Sequence, residues 1–182
     1  MDHLEAVVEI KNVIGAEFTN KIISLIKKRA DKNLLVAQDK LNTDIRNVKG
    51  YQLNFKTPTN LFYWNYIKNE ITRVYGFYKA KFPMMASSKI NQIDLLKYNS
   101  GGKYNVHTDH YTNSPRHLSI IINLNEEYEG GDLIFTDQKK VEVKRIKLGK
   151  GSIVFFPSNF MYPHSIEPIT KGVRYSIVSW LQ

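Results

Sequence analysis

"HLSIIINLN", residues 117–125, sets the fold: if the chain is extended here, Leu118, Ile120, Ile122 and Leu124 share one face, because successive side chains of a strand point to opposite sides. The same period of two, or a short apolar run, returns in "IDLLKYN" (93–99), "GDLIFT" (131–136), "VEVKRIK" (141–147), "GSIVFFP" (151–157), "HSIEPI" (164–169) and "VRYSIVSWLQ" (173–182). Turn chemistry separates the runs, at Gly130 and Gly131, Gly149 to Gly151, Pro157 and Gly172. Some seven short strands with no helix between them predict an antiparallel sandwich or barrel, and a jelly roll meets that strand count.

The first half reads differently. "VVEIKNV" (7–13) is strand-like, and Thr19 is the expected N-cap of a helix through "NKIISLIKKRA" (20–30). From Thr59 to Tyr78, Leu61, Trp64, Ile67, Ile71 and Val74 recur at helical spacing, as expected of a core-facing stripe. Between these helices, residues 36–58 are polar and without a sustained period, so a long loop or irregular hairpin is expected, a type of segment that often serves as a lid. The expected fold is mostly β with N-terminal helices (α+β). It forms one domain over 1–182, with helical support and a substrate loop in 1–90 and a catalytic core in 91–182.

Composition narrows the chemistry. The chain has 182 residues and no cysteine, so disulfides, thiolate zinc sites and cysteine nucleophiles are excluded, and a metal must be held by nitrogen and oxygen. The formal charge is +9, but the lysines are dispersed and no basic cluster interleaves with aromatics, which makes nucleic acid an unexpected partner. No apolar run reaches the roughly 18 residues of a membrane span, and the N-terminus has no leader pattern, so a cytoplasmic protein without a membrane partner is expected. Nothing in the sequence fixes the oligomeric state.

Three of the five histidines fall within "YNSGGKYNVHTDHYTNSPRH", residues 98–117. If 106–110 is extended, His107 and Asp109 face the same way and His110 faces the other. His164, 57 residues after His107, begins a strand that an antiparallel sheet could bring back beside the pair. Two histidines and a carboxylate suit non-haem iron(II) with open positions, although zinc hydrolases also use such sets. Arg174, ten residues beyond His164 in an apolar strand, needs an anion: a protein acid or, beside three metal ligands, a small dicarboxylate. Ser176 shares its face. Asp132 belongs to the Gly130–Gly131 turn, and Phe155, Phe156 and Trp180 to the core.

These segments, "KYNSGGKYNVHTD", "GGDLIF" and "GSIVFFPSNFMYPHSIEPITKGVRYSIVSW", resemble the iron(II)- and 2-oxoglutarate-dependent dioxygenases, in their prolyl-4-hydroxylase-like branch, over residues 92–182. The resemblance implies a double-stranded β-helix core flanked by helices, with iron on His107, Asp109 and His164 and no catalytic residue beyond the metal centre. Arg174 would hold the distal carboxylate of 2-oxoglutarate, with Tyr98 and Ser176 beside it; Tyr104 matches a recurrent aromatic, and Arg46 is a substrate contact. The cofactors implied are Fe(II), 2-oxoglutarate and O2, with ascorbate as an accessory. The implied reaction is hydroxylation of prolyl residues in a peptide or protein, with succinate and CO2 as coproducts; hydroxylation of a free amino acid or another small molecule is the alternative. Two departures matter. Ile122 stands where some relatives carry a second tyrosine, with Asn123 or Ser119 as substitutes, and Trp180 stands where nucleic-acid demethylases typically carry a second arginine. A metal-free binding module on the same scaffold would be expected to have lost at least one of the four key residues.

Overall fold

In the computed structural model the described residues are 3–35, 41–86, 89–113 and 115–182. In chain order they form β1 (Val8–Ile10), α1 (Ala16–Arg29), β2 (Lys32–Asn33), β3 (Arg46–Asn47), β4 (Lys49–Gln52) and α2 (Pro58–Lys81). There follow β5 (Ile90–Tyr98), β6 (Lys103–His107), β7 (Leu118–Asn123), β8 (Tyr128–Gly130), β9 (Leu133–Thr136), β10 (Glu142–Ile146), β11 (Ile153–Pro157), β12 (His164–Ile166), β13 (Ile169–Gly172) and β14 (Arg174–Leu181). A seven-stranded sheet runs β1-β11-β7-β14-β5-β4-β2, and a five-stranded sheet runs β10-β9-β12-β6-β3. β13 and β8 form a separate ribbon. All pairings are antiparallel.

The alternation of 117–125 is realised. Leu118, Ile120, Ile122 and Leu124 pack with Ile22, Ile26, Ile67 and Ile71 of the helices in one apolar core. Ile121 points the other way, into a second core with Phe135, Phe156 and Trp180 between the sheets. Both faces of β7 and β14 are therefore covered, and every residue of each strand is buried.

The helices begin where their caps dictate. α1 starts at Ala16 after Gly15, so Thr19 is not its cap; it lies inside the helix, fully buried, and its hydroxyl donates to the Ala16 carbonyl at 2.8 Å. In α2 the cap is Thr57, whose Oγ1 accepts from the Asn60 N–H at 3.2 Å, with Pro58 in the first turn where its missing N–H costs nothing. Leu61 is 43% exposed, and Asn60 takes the stripe's first position, bonded to the Tyr51 hydroxyl at 2.8 Å and Asn54 Oδ1 at 2.9 Å. The positions 60, 64, 67, 71, 74 and 78 keep the helical repeat; position 61 is one step off it.

The polar segment is more ordered than a loop. β4 pairs with β5 in the large sheet, and β3 pairs with β6 in the small one, so residues 46–52 join both layers. Residues 36–40 of the expected lid lie outside the described residues. Among the described residues, no helix is long and apolar enough to cross a membrane.

Candidate metal centre

Register brings the two histidines together. His107, the last residue of β6, sits directly across from His164, the first of β12, with ring centroids 4.3 Å apart. Asp109 arrives by another route: β6 stops at His107, and a bend carries Asp109 inward, held by its own N–H and that of His110 donating to the Ser158 carbonyl at 3.2 and 3.0 Å. The ligand atoms of the three lie within 4.8 Å of one another. Asp109 Oδ1 is 3.5 Å from His107 Nε2, and Oδ2 is 3.5 Å from His164 Nε2.

Each imidazole is oriented by main chain. Nδ1 of His107 donates to the Asn105 carbonyl at 2.8 Å and Nδ1 of His164 to the Tyr162 carbonyl at 3.1 Å, which leaves both Nε2 lone pairs facing the shared point. Burial, reinforced by His107, pushes the His164 imidazole down to about 4, against the pull of Asp109. Burial would raise the Asp109 carboxyl; His164, His107 and Ser119 overcome it and hold the group well below the carboxylate range. Neutral nitrogens and an ionised oxygen are the donor states that a divalent cation needs, so the set fits Fe(II).

These ligands open on a cavity of about 180 Å³ whose opposite wall includes Tyr98, Arg174 and Ser176. Arg174 is 1% exposed, makes no ion pair among the described residues, and leaves Nε without a partner. Among the described residues, no internal salt bridge explains its burial. Tyr98 lies across from it in the β5–β14 register, its ring centroid 5.2 Å from the guanidinium carbon, and the buried Ser176 hydroxyl has no partner. A cationic fork, a phenol and a hydroxyl facing one space suit the carboxylate of 2-oxoglutarate. Gly131 does more than turn the chain: its φ of +72° favours glycine, and a Cβ there would lie 2.4 Å from Ile169 Cδ1 and press on Arg174 Cδ at 3.2 Å. Its neighbour Asp132 pairs with Arg145 at 3.3 Å and is no part of the ligand set.

Tyr104 stacks on His107, with centroids 3.6 Å apart and planes at 19°, and the Arg46 guanidinium lies 4.7 Å from the Tyr104 centroid while donating to the Leu35 carbonyl at 2.7 Å. The expectation for Ile122 needs correction. It faces the helices, and the β7 residue that lines the cavity is Ile121; Ser119, on that same side of the strand, is bonded to Asp109, and Asn123 is tied to the Asn125 and Leu148 carbonyls, both outside the cavity lining. Trp180 is not only core: it lines the cavity, and Arg116 stacks on it at 3.6 Å. Arg116, Gln92, Asp94 and Tyr111 also line this space and went unread in the sequence. Asp94 and Trp180 stand at even spacing from Tyr98 and Arg174 on the same strands, a signal the alternation carried.

The three converged ligands fit a non-haem metal centre, and comparison with known proteins names the family. Residues 93–182 match the family model of the 2OG-Fe(II) oxygenase superfamily, and through this half the chain belongs to that superfamily. The family's cofactors are Fe(II), 2-oxoglutarate and O2. A PKHD-type hydroxylase of Synechococcus sp. (strain JA-2-3B'a(2-13)) is 31% identical over 110 residues, covering 56% of this chain and 47% of that protein. One from Aliarcobacter butzleri is 27% identical over 159 residues, covering 78% and 63%. The chain thus spans about half the length of the first of these relatives. In fold it is similar to a Pseudomonas putida prolyl-4-hydroxylase, at TM-score 0.78 and 17% identity over 100% of this chain and 96% of that one. It is also similar to a prolyl hydroxylase from Trichoplax adhaerens in complex with a hypoxia inducible factor peptide fragment, at TM-score 0.77 and 18% identity over 99% and 86%.

Proposed function

We propose that the protein is an Fe(II)- and 2-oxoglutarate-dependent dioxygenase that hydroxylates prolyl residues in a peptide or protein, releasing succinate and CO2. The observation that carries this reading is the pairing, in one cavity, of three converged ligand atoms with a fully buried guanidinium that has no acid partner among the described residues. His107, Asp109 and His164 hold the iron. Arg174 takes the distal carboxylate of 2-oxoglutarate, with Tyr98 and Ser176 completing its hydrogen bonds. Bound Fe(II), 2-oxoglutarate and O2 supply the oxidation itself. The chain's own residues orient the cosubstrate, keep the His164 imidazole neutral and exclude water behind the apolar wall of Leu96, Ile121 and Val178.

The substrate reaches the metal from the side of Arg46, Tyr104 and Arg116, and relatives named as prolyl or PKHD-type hydroxylases support a prolyl residue as its target. The scaffold is a double-stranded β-helix in one domain over 1–182, with residues 1–90 as helical support and 91–182 as the catalytic core. A cavity of about 180 Å³ leaves, beside the cosubstrate, space for little more than one ring, so a free cyclic amino acid is the second reading. Ferrous iron and 2-oxoglutarate added anaerobically to metal-free protein should give a visible charge-transfer band. Aerobic incubation with proline-containing peptides and with free amino acids, followed by mass spectrometry for one added oxygen, separates the two substrate classes. Tight zinc retention with no such band would replace this reading with a hydrolase.

A further inference from the structure

Asp109 is the one metal-facing residue that no strand pairing fixes. His107 and His164 are set by the β6–β12 register, whereas Asp109 lies beyond the end of β6. Something else has to aim its carboxylate. Ser119, fully buried on β7, donates to Asp109 Oδ2 at 2.7 Å, and its oxygen lies 2.8 Å from the Ser158 hydroxyl. A serine has one hydroxyl proton; with that of Ser119 given to the carboxylate, Ser158 is the donor between the two. Ser158, 1% exposed, is itself anchored by its N–H to the His117 carbonyl at 3.0 Å, and its own carbonyl receives the Asp109 and His110 N–H groups.

We infer that Ser119 and Ser158 form a clamp that fixes the Asp109 carboxylate against the two imidazoles: Ser158 grips the Asp109 main chain, and through Ser119 it grips Oδ2, so that Oδ1 and Oδ2 are each held 3.5 Å from one histidine Nε2. The two are positioning residues, acting through Asp109. Donation along the relay polarises each hydroxyl, and in a water-excluded setting that strengthens the final bond to the carboxylate. The inference rests on the metal reading above, and its test separates the two.

The test is titration of metal-free protein with Co(II), reading affinity and the visible spectrum, in wild type, Ser119→Ala, Ser158→Ala and Ser179→Ala. Ser179 is the control: it is a fully buried serine of the same sheet whose hydroxyl donates at 2.7 Å to the Gln92 carbonyl, away from Asp109. Ser119→Ala is expected to weaken Co(II) binding about 10- to 100-fold and to shift the spectrum as the freed carboxylate leaves that orientation. Ser158→Ala moves both readouts in the same direction by less, and Ser179→Ala leaves both near wild type. Equal losses in Ser119→Ala and Ser179→Ala, or wild-type affinity and spectrum in Ser119→Ala, overturn the clamp while the metal centre stands. Failure of wild type to bind Co(II) overturns the centre and the clamp with it.

Discussion

The two faces of β14 were made from one run of eight residues and do opposite things. Tyr175, Ile177 and Leu181 look toward α1 and α2 and join an apolar core. Arg174, Ser176, Val178 and Trp180 look into the cavity, where Arg174 Nε, Ser176 Oγ and Trp180 Nε1 are buried without hydrogen-bond partners. On the first face each buried aliphatic side chain stabilises the fold by roughly 1.5–3 kcal/mol. On the second, each unmade hydrogen bond costs roughly 1–3 kcal/mol. Because strand side chains alternate, a protein can place stability and function one residue apart, and the unsatisfied face marks where a ligand completes the structure.

Substitutions that strike one face and spare the other break this comparison. The largest effect is expected at the metal: Asp109→Ala should lose stoichiometric iron and all turnover, read by metal analysis and succinate formation, with the secondary structure retained. Arg174→Ala should raise the 2-oxoglutarate needed for half-maximal turnover by about two orders of magnitude, since it removes the cationic partner of a buried carboxylate, a loss of about 2–5 kcal/mol. Saturation at the wild-type cosubstrate level would remove Arg174 from that role. Across the strand, Ile177→Ala should destabilise the protein by about 2–5 kcal/mol in denaturant unfolding while the folded variant keeps wild-type Co(II) affinity. A loss of affinity there would mean that the two faces are coupled.

The smallest effect sharpens the contrast. Burial holds the Asp94 carboxyl above its ordinary range, against the hydrogen bond from Gln92 at 2.7 Å, and Oδ1 has no partner. An acid whose folded pKa is raised is destabilising when ionised, so the cost grows as pH rises through that value and vanishes below the ordinary carboxylate pKa of about 3.9. Asp94→Asn should therefore raise the melting temperature at neutral pH by a few degrees, at about 2–4 °C per kcal/mol for a chain of this size, and the gain should vanish in acid.

Much of this was legible in the residues. The alternation at 117–125 placed four side chains on the helix-facing core, and H-x-D, a distal histidine and an arginine ten residues later pointed to residues that the structure brings to one cavity. The errors share a cause. Thr19 and Leu61 failed because a good capping residue, or an apolar one, says nothing about helix phase; phase was set by Gly15 and Thr57 at the true starts. Ile122, matched to a tyrosine position of some relatives, lies in the helix-facing core as the alternation of 117–125 gives, while Ser119 and Ile121 take the other face. β3 and β4 were hidden in a polar stretch because their strength comes from pairing with β6 and β5, which no local pattern reveals.

By itself, the sequence determined the donor types, the face each strand residue occupies and the absence of thiolate chemistry, because these follow from side-chain identity and a backbone repeat of two. Only the tertiary structure decided that His107 and His164 sit opposite each other, that Asp109 is held off-strand by a pair of serines, that Gly131 packs against Ile169 and Arg174, and that Arg174 has no acid partner among the described residues. The reason is physical: register, close approach and the lack of a partner are relations between segments far apart in the chain, and they come into being only when burial forces those segments together.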